Sequence, residues 1–299
     1  MSAFGLEEMG DYALAEERGR HAVELNPRDA WAVHAVAHTY EMQGRLVDGV
    51  SWLTSREADW ARDNFFAVHN WWHLSLYHLD LEQPAAALGI YDHRIREGRS
   101  GELLNLLDAA ALLWRLGLSE VDVGDRWAEV ADLWRGHVED GWYAFNDAHA
   151  MMAFAATGDE PAATALLRTL GAAVEARGTN AAMTRDVGLP TARALWAFGT
   201  GRYAEALEHL MPVRFVAARF GGSHAQRDLV HMTCIEAAHR AGDHRLARAL
   251  LNERLALKPT SPHNWLWLAR SLSAAGDAAG ADAARARATD LRGGVPAGV

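Results

Sequence analysis

A short turn signal recurs along this chain and dictates how it can fold. In each instance a break residue, usually glycine, separates one apolar-periodic segment from a second that opens on alanine-rich spacing. It occurs as "MGDYALAE" at Gly10, "QGRLVDGV" at Gly44, "LEQPAAAL" near Glu82 and "LGLSEVDV" at Gly117. It continues as "TGDEPAAT" at Gly158, "TGRYAEAL" at Gly201, "AGDHRLAR" at Gly242 and "AGDAAGAD" at Gly276. Successive intervals are 34, 38, 35, 41, 43, 41 and 34 residues. Glycine at such a turn supplies the left-handed backbone that ends a helix. "ELNP" (24–27) and "ALKP" (256–259) read as ends of the second helix of a pair, where proline blocks continuation. No alternating apolar run suggests a strand.

The intervals bracket the period of roughly 34 residues that marks tetratricopeptide-type helix–turn–helix repeats. The expectation is therefore all-α: a right-handed, superhelical, tetratricopeptide-like solenoid of about eight helix pairs, in which stacked neighbours bury a continuous core. Residues 1–292 read as a single domain and 293–299, "GGVPAGV", as a disordered tail. The stretch 179–190, "TNAAMTRDVGLP", reads as an inserted loop.

Composition narrows the partners. A formal charge of −10, with 29 scattered Lys and Arg, argues against nucleic acid and anionic membranes. The lone Cys234 rules out an intrachain disulfide and an all-cysteine metal site, and its context reads as buried core. The N-terminus lacks a basic segment of secretory type, and the most apolar stretch is interrupted by Asn105, Asp108 and Arg115. A cytoplasmic protein is expected, with the oligomeric state left open.

The 15 histidines are patterned. "WAVHAVAHTY" and "FAVHNWWHLS" repeat Ala-Val-His-x-x-x-His, placing His34/His38 and His69/His73 thirty-five residues apart. His34, His38 and Glu41 are spaced i, i+4, i+7 and share one helix face. Continuing at the local intervals gives a rung of His38, His73, Asp108 and His149, expected to look into one concave groove. A second cluster, His224, Asp228 and His231 with Arg227 beside them, follows a Gly-Gly pair and a candidate N-cap, Ser223. Arg227, the helix N-terminus and Arg185 would together attract an anion. Trp72 is the tryptophan of "NWWH" nearer the histidine stripe.

The combination "AWAVHAVAHTYEMQGR", "VHNWWHLSLYHLD", "YDHRI", "LLDAAALLWRL" and "GGSHAQRD" resembles the tetratricopeptide repeat protein 38 family, over roughly residues 5–275. The resemblance implies an α-solenoid and brings no established reaction. Against that family the chain looks shortened before its first repeat.

Three chemistries suit the histidines. One is a divalent metal on His34, His38, His69 and His73, since histidines at i, i+4 can share an ion. HExxH is absent, because position 35 is Ala and position 70 is Asn. Another is metal-free acid–base catalysis by His–carboxylate dyads, with His38, His73, Asp108, His149, His224 and Asp228 as catalytic candidates. The third is a structural network. Function divides accordingly. A pocket for a small polar or anionic molecule would use His34, Glu41, His69, Trp72, Arg227 and Arg185 for binding, with hydrolase- or lyase-type chemistry. The alternative is a scaffold gripping a peptide in the groove.

Overall fold

A computed structural model describes residues 1–292. The expected tail, 293–299, lies outside them. The described residues are all-helical, with no strand among them. In chain order the helices are α1 (Ser2–Glu8), α2 (Tyr12–Leu25), α3 (Ala30–Met42), α4 (Leu46–Thr54), α5 (Glu57–Trp60), α6 (Ala67–Asp80), α7 (Pro84–Ile90), α8 (Leu103–Leu118) and α9 (Arg126–Arg135). They continue as α10 (Ala144–Thr157), α11 (Glu160–Glu175), α12 (Thr179–Met183), α13 (Leu189–Gly199), α14 (Tyr203–Val213), α15 (His224–Arg240), α16 (His244–Leu257), α17 (Pro262–Ala274) and α18 (Ala278–Arg292). Among the described residues, no helix is long and apolar enough to cross a membrane.

The recurring turn signal has a definite local structure. Gly10, Gly158, Gly242 and Gly276 take positive φ, and the aspartate after each accepts a backbone N–H of the next helix. One residue ends a helix and its neighbour caps the next. At two positions the left-handed residue is a glutamate, Glu82 and Glu120, both at φ 60°. The fourth turn therefore falls at Glu120; Gly117 lies inside α8.

The stretch 179–190 is helical, which corrects the loop reading. It forms α12, a π-helical turn (Thr184–Gly188) and the start of α13. Asn180 anchors it: its Nδ2 donates to the Gly141 carbonyl at 2.8 Å, and its Oδ1 accepts from the Ala144 N–H at 3.2 Å. Pro190 directly follows the π-helical turn, within an unbroken helical run over 179–199. Of the polar residues that resemble a loop, Thr179 and Asn180 open the helical run and Thr184, Arg185 and Asp186 lie in its π-helical turn.

The chain divides into two compact units: residues 1–98 with the segment from 251 onward, and residues 99–250. In the first unit Trp60, Trp72, Tyr40, Tyr77 and Leu53 are fully buried. Trp60 donates to the Leu53 carbonyl at 3.0 Å and Tyr77 to the Ala37 carbonyl at 2.5 Å. The C-terminal segment belongs to this unit by direct contact. Thr260 Oγ1 donates to the Gly44 carbonyl at 3.2 Å, Ser261 Oγ to Asp80 Oδ1 at 2.6 Å, and His263 Nδ1 lies 2.5 Å from Glu82 Oε1. These residues are 181 to 216 positions apart, contacts that a strictly neighbour-to-neighbour stack does not make.

In the second unit Trp134, Phe154 and the leucines of α8 form the core. Trp114 Nε1 donates to Thr233 Oγ1 at 3.0 Å, tying α8 to α15. Cys234 is buried, as its context suggests. Ser223 and Gln226 form a reciprocal capping box at the start of α15.

Candidate metal centre

The two His-x-x-x-His pairs meet. His34 and His38 stand one turn apart on α3, and His69 and His73 one turn apart on α6. Ring centroids of His34–His38 and His38–His73 are each 4.3 Å apart; His34–His73 is 4.8 Å, His69–His73 4.9 Å and His34–His69 5.0 Å. One ring nitrogen from each of the four can be chosen so that all lie within 4.8 Å of one another. All four side chains are buried, at 0–3 % exposure. The thirty-five-residue interval puts one pair on α3 and the other on α6, on the faces that meet.

Two carboxylates stand behind the imidazoles. Glu41, one turn beyond His38 on α3, places Oε2 3.2 Å from Nδ1 of His73, and its other oxygen forms an ion pair with Lys258 Nζ at 3.1 Å. Glu7 of α1 places Oε2 3.7 Å from Nδ1 of His38. At hydrogen-bond distance, the Glu41 carboxylate holds the proton of His73 on Nδ1 and leaves Nε2 as the electron-pair donor, the usual outer partner of a metal-bound histidine.

Aromatic rings close the cluster. Trp72 stacks on His69 at 5.2 Å and 13°, as its place beside the stripe suggests. Phe4 stacks on His34 at 5.5 Å, and Phe66 meets His34 and His69 edge-on or tilted at 4.8 and 4.9 Å. Trp31 covers His34 from 6.2 Å. Both ring nitrogens of His34 are buried with no hydrogen-bond partner among the described residues. Burial, then the neighbouring His38, His73 and His69, hold the His34 imidazole well below its ordinary pKa. It is therefore neutral at physiological pH, the form that ligates a metal.

The remaining sequence candidates lie in the second unit. Asp108 is buried on α8 and His149 on α10. His149 Nδ1 donates to the Phe145 carbonyl at 2.8 Å; burial pushes its pKa down to about 4, with the carbonyl opposing and Arg115 adding to the shift. Asp147, on the same helix, has a buried oxygen with no hydrogen-bond partner among the described residues. Burial, and then Asp140, push its pKa up to about 7. His224 opens α15, and Asp228 and His231 follow it, all half-buried. The Arg227 guanidinium donates to the Gly222 carbonyl. Arg185 is exposed on the π-helical turn.

Sequence reasoning named the four histidines that cluster here, together with Glu41 and Trp72 beside them. It missed Glu7, Lys258 and Phe4, which no spacing connects to the histidines, and also Trp31 and Phe66, which stand one turn before His34 and His69 at the same thirty-five-residue interval and could have been read from it. Fold and site together define an all-helical protein with a buried four-histidine cluster backed by carboxylates. No family model matches the chain.

Proposed function

We propose that the first unit binds one transition-metal ion through His34, His38, His69 and His73, with Glu41 and Glu7 as outer partners. The observation that carries this reading is the convergence of four buried imidazoles, one of which has neither nitrogen hydrogen-bonded. Leaving buried polar atoms unpaired costs on the order of 1–3 kcal/mol each, and an ion at the centre would satisfy one nitrogen of each ring. Tetrahedral zinc with Zn–N of about 2.1 Å needs nitrogens roughly 3.4 Å apart. The present limit of 4.8 Å requires side-chain adjustments on the order of 1 Å. Imidazole donors favour zinc, copper, iron, cobalt or nickel over magnesium or calcium.

When bound, such an ion supplies Lewis-acid polarisation or an activated water. The chain's own residues orient the ligands, through Glu41 and Glu7, and exclude bulk water, through Phe4, Trp31 and Phe66. This assigns the metal-assisted branch of the small-molecule reading to this unit. The tetratricopeptide-like solenoid, its kinship with the tetratricopeptide repeat protein 38 family and a cytoplasmic location belong to the same proposal. They are supported by the succession of helix pairs at 34- to 43-residue intervals, the quoted motifs and the acidic composition.

The test is metal content of the purified protein, followed by chelation and titration with zinc or cobalt. About one ion per chain is expected. His38→Ala combined with His73→Ala should weaken binding by more than about a hundredfold, as loss of two ligands exceeds the 10–100-fold of an outer partner. A chain that takes up neither ion at micromolar concentration, and whose Tm they leave unchanged, would overturn the reading.

A further inference from the structure

The segment 258–263 grips the ends of both helices that carry the four histidines. Thr260 donates to the carbonyl of Gly44, just beyond α3. Ser261 donates to Asp80, the last residue of α6, and His263 pairs with Glu82 two residues later. Between these anchors, Lys258 reaches Glu41, which holds Nδ1 of His73.

Lys258 is itself fixed from both sides. Its N–H donates to the Arg254 carbonyl at 2.9 Å, and its carbonyl accepts from Asn264 Nδ2 at 3.4 Å. Arg254 in turn donates to Asn264 Oδ1 at 2.6 Å. A lysine buried to this extent is rare, and an apolar side chain would pack the same place without desolvating a charge. What the ammonium provides is a fixed direction for the Glu41 carboxylate, and through it a fixed ring for His73.

We propose that the docked segment 258–263, acting through Lys258 and Glu41, is the positioning element of the four-histidine centre and sets its metal affinity. This rests on the metal reading above. Coupling of this kind is reciprocal: a segment that tightens metal binding is itself held more firmly when metal is present.

The experiment uses the full chain, titrated with Zn²⁺ against a competing chelator and with Co²⁺ by its visible absorption. Lys258→Met and Glu41→Gln should each weaken Zn²⁺ binding about 10–100-fold, as losses of outer partners do, and should shift the cobalt bands as His73 reorients. Lys258→Arg should restore most of both. Glu82→Gln, which touches neither Glu41 nor any of the four clustered histidines but loses its charged contact with His263, should weaken binding by loosening the segment, and it keeps the test alive if Lys258→Met does not fold. A wild-type chain that binds neither ion defeats the metal reading itself. A wild-type chain that binds, with all these variants matching its affinity and spectrum, overturns the positioning role and leaves the centre standing.

Discussion

Asp147 and His149 stand two positions apart on α10 and titrate in opposite senses. The Asp147 pKa rises from 3.8 to about 7, so the folded chain keeps a proton that the unfolded chain has released. Stability from this group falls as pH rises through that window and then levels off. The His149 pKa drops from 6.5 to about 4, so the unfolded chain takes up a proton that the folded chain refuses. Stability from this group is lost as pH falls through that window. In the wild type the two slopes largely cancel between about pH 4 and 6.5. Asp147→Asn should expose the histidine slope, with denaturation midpoints rising with pH, and should add up to about 4 kcal/mol at pH 8. His149→Gln should show midpoints falling with pH over the same range. Two flat profiles would refute the assigned shifts. At this scale the sequence was legible where a pattern repeats itself, as in the two His-x-x-x-His pairs and Glu41 one turn beyond. It was mute on Glu7 and Lys258, whose partners lie far along the chain.

The helices were legible from their ends. Gly-Asp steps mark a stop followed by a cap, and the structure has both. The reading slipped where the chemistry was disguised: at Glu120, a glutamate does what glycine does elsewhere, and in 179–190 polar residues that open a helix or sit in its π-helical turn imitate a loop. Helix spacing also depends on small residues that no turn signal announces. A Cβ at Gly199 of α13 would sit 2.7–2.9 Å from the backbone and Cβ of Ala155 on α10. Gly199→Ala should therefore cost about 1–3 kcal/mol, the usual penalty for overpacking, seen as a lower urea midpoint. Gly117→Ala, in open space inside α8, should instead stabilise by up to about 1 kcal/mol. Equal effects from the two would contradict this packing.

Across the whole molecule, a ligand that binds only the folded state adds stability by mass action. Zinc at a hundred times its Kd should add about 2.7 kcal/mol. Hydrogen exchange should show the added protection in α1, α3, α6 and residues 258–264, the pieces that surround the four histidines. Protection absent there, with zinc bound, would place the ion elsewhere. The all-helical class was legible over the described residues, whereas the return of the C-terminal segment to the first unit was not, because the spacing of turn signals carries no information on which distant segments touch. That return has a consequence for biosynthesis. The histidine-bearing helices leave the ribosome early, but Lys258 follows only after the intervening 99–250, roughly 10–30 s of elongation at about 5–20 residues per second. Until then the nascent chain presents its imidazoles without their last brace, so under the proposed metal reading secure capture of an ion would belong to the end of translation.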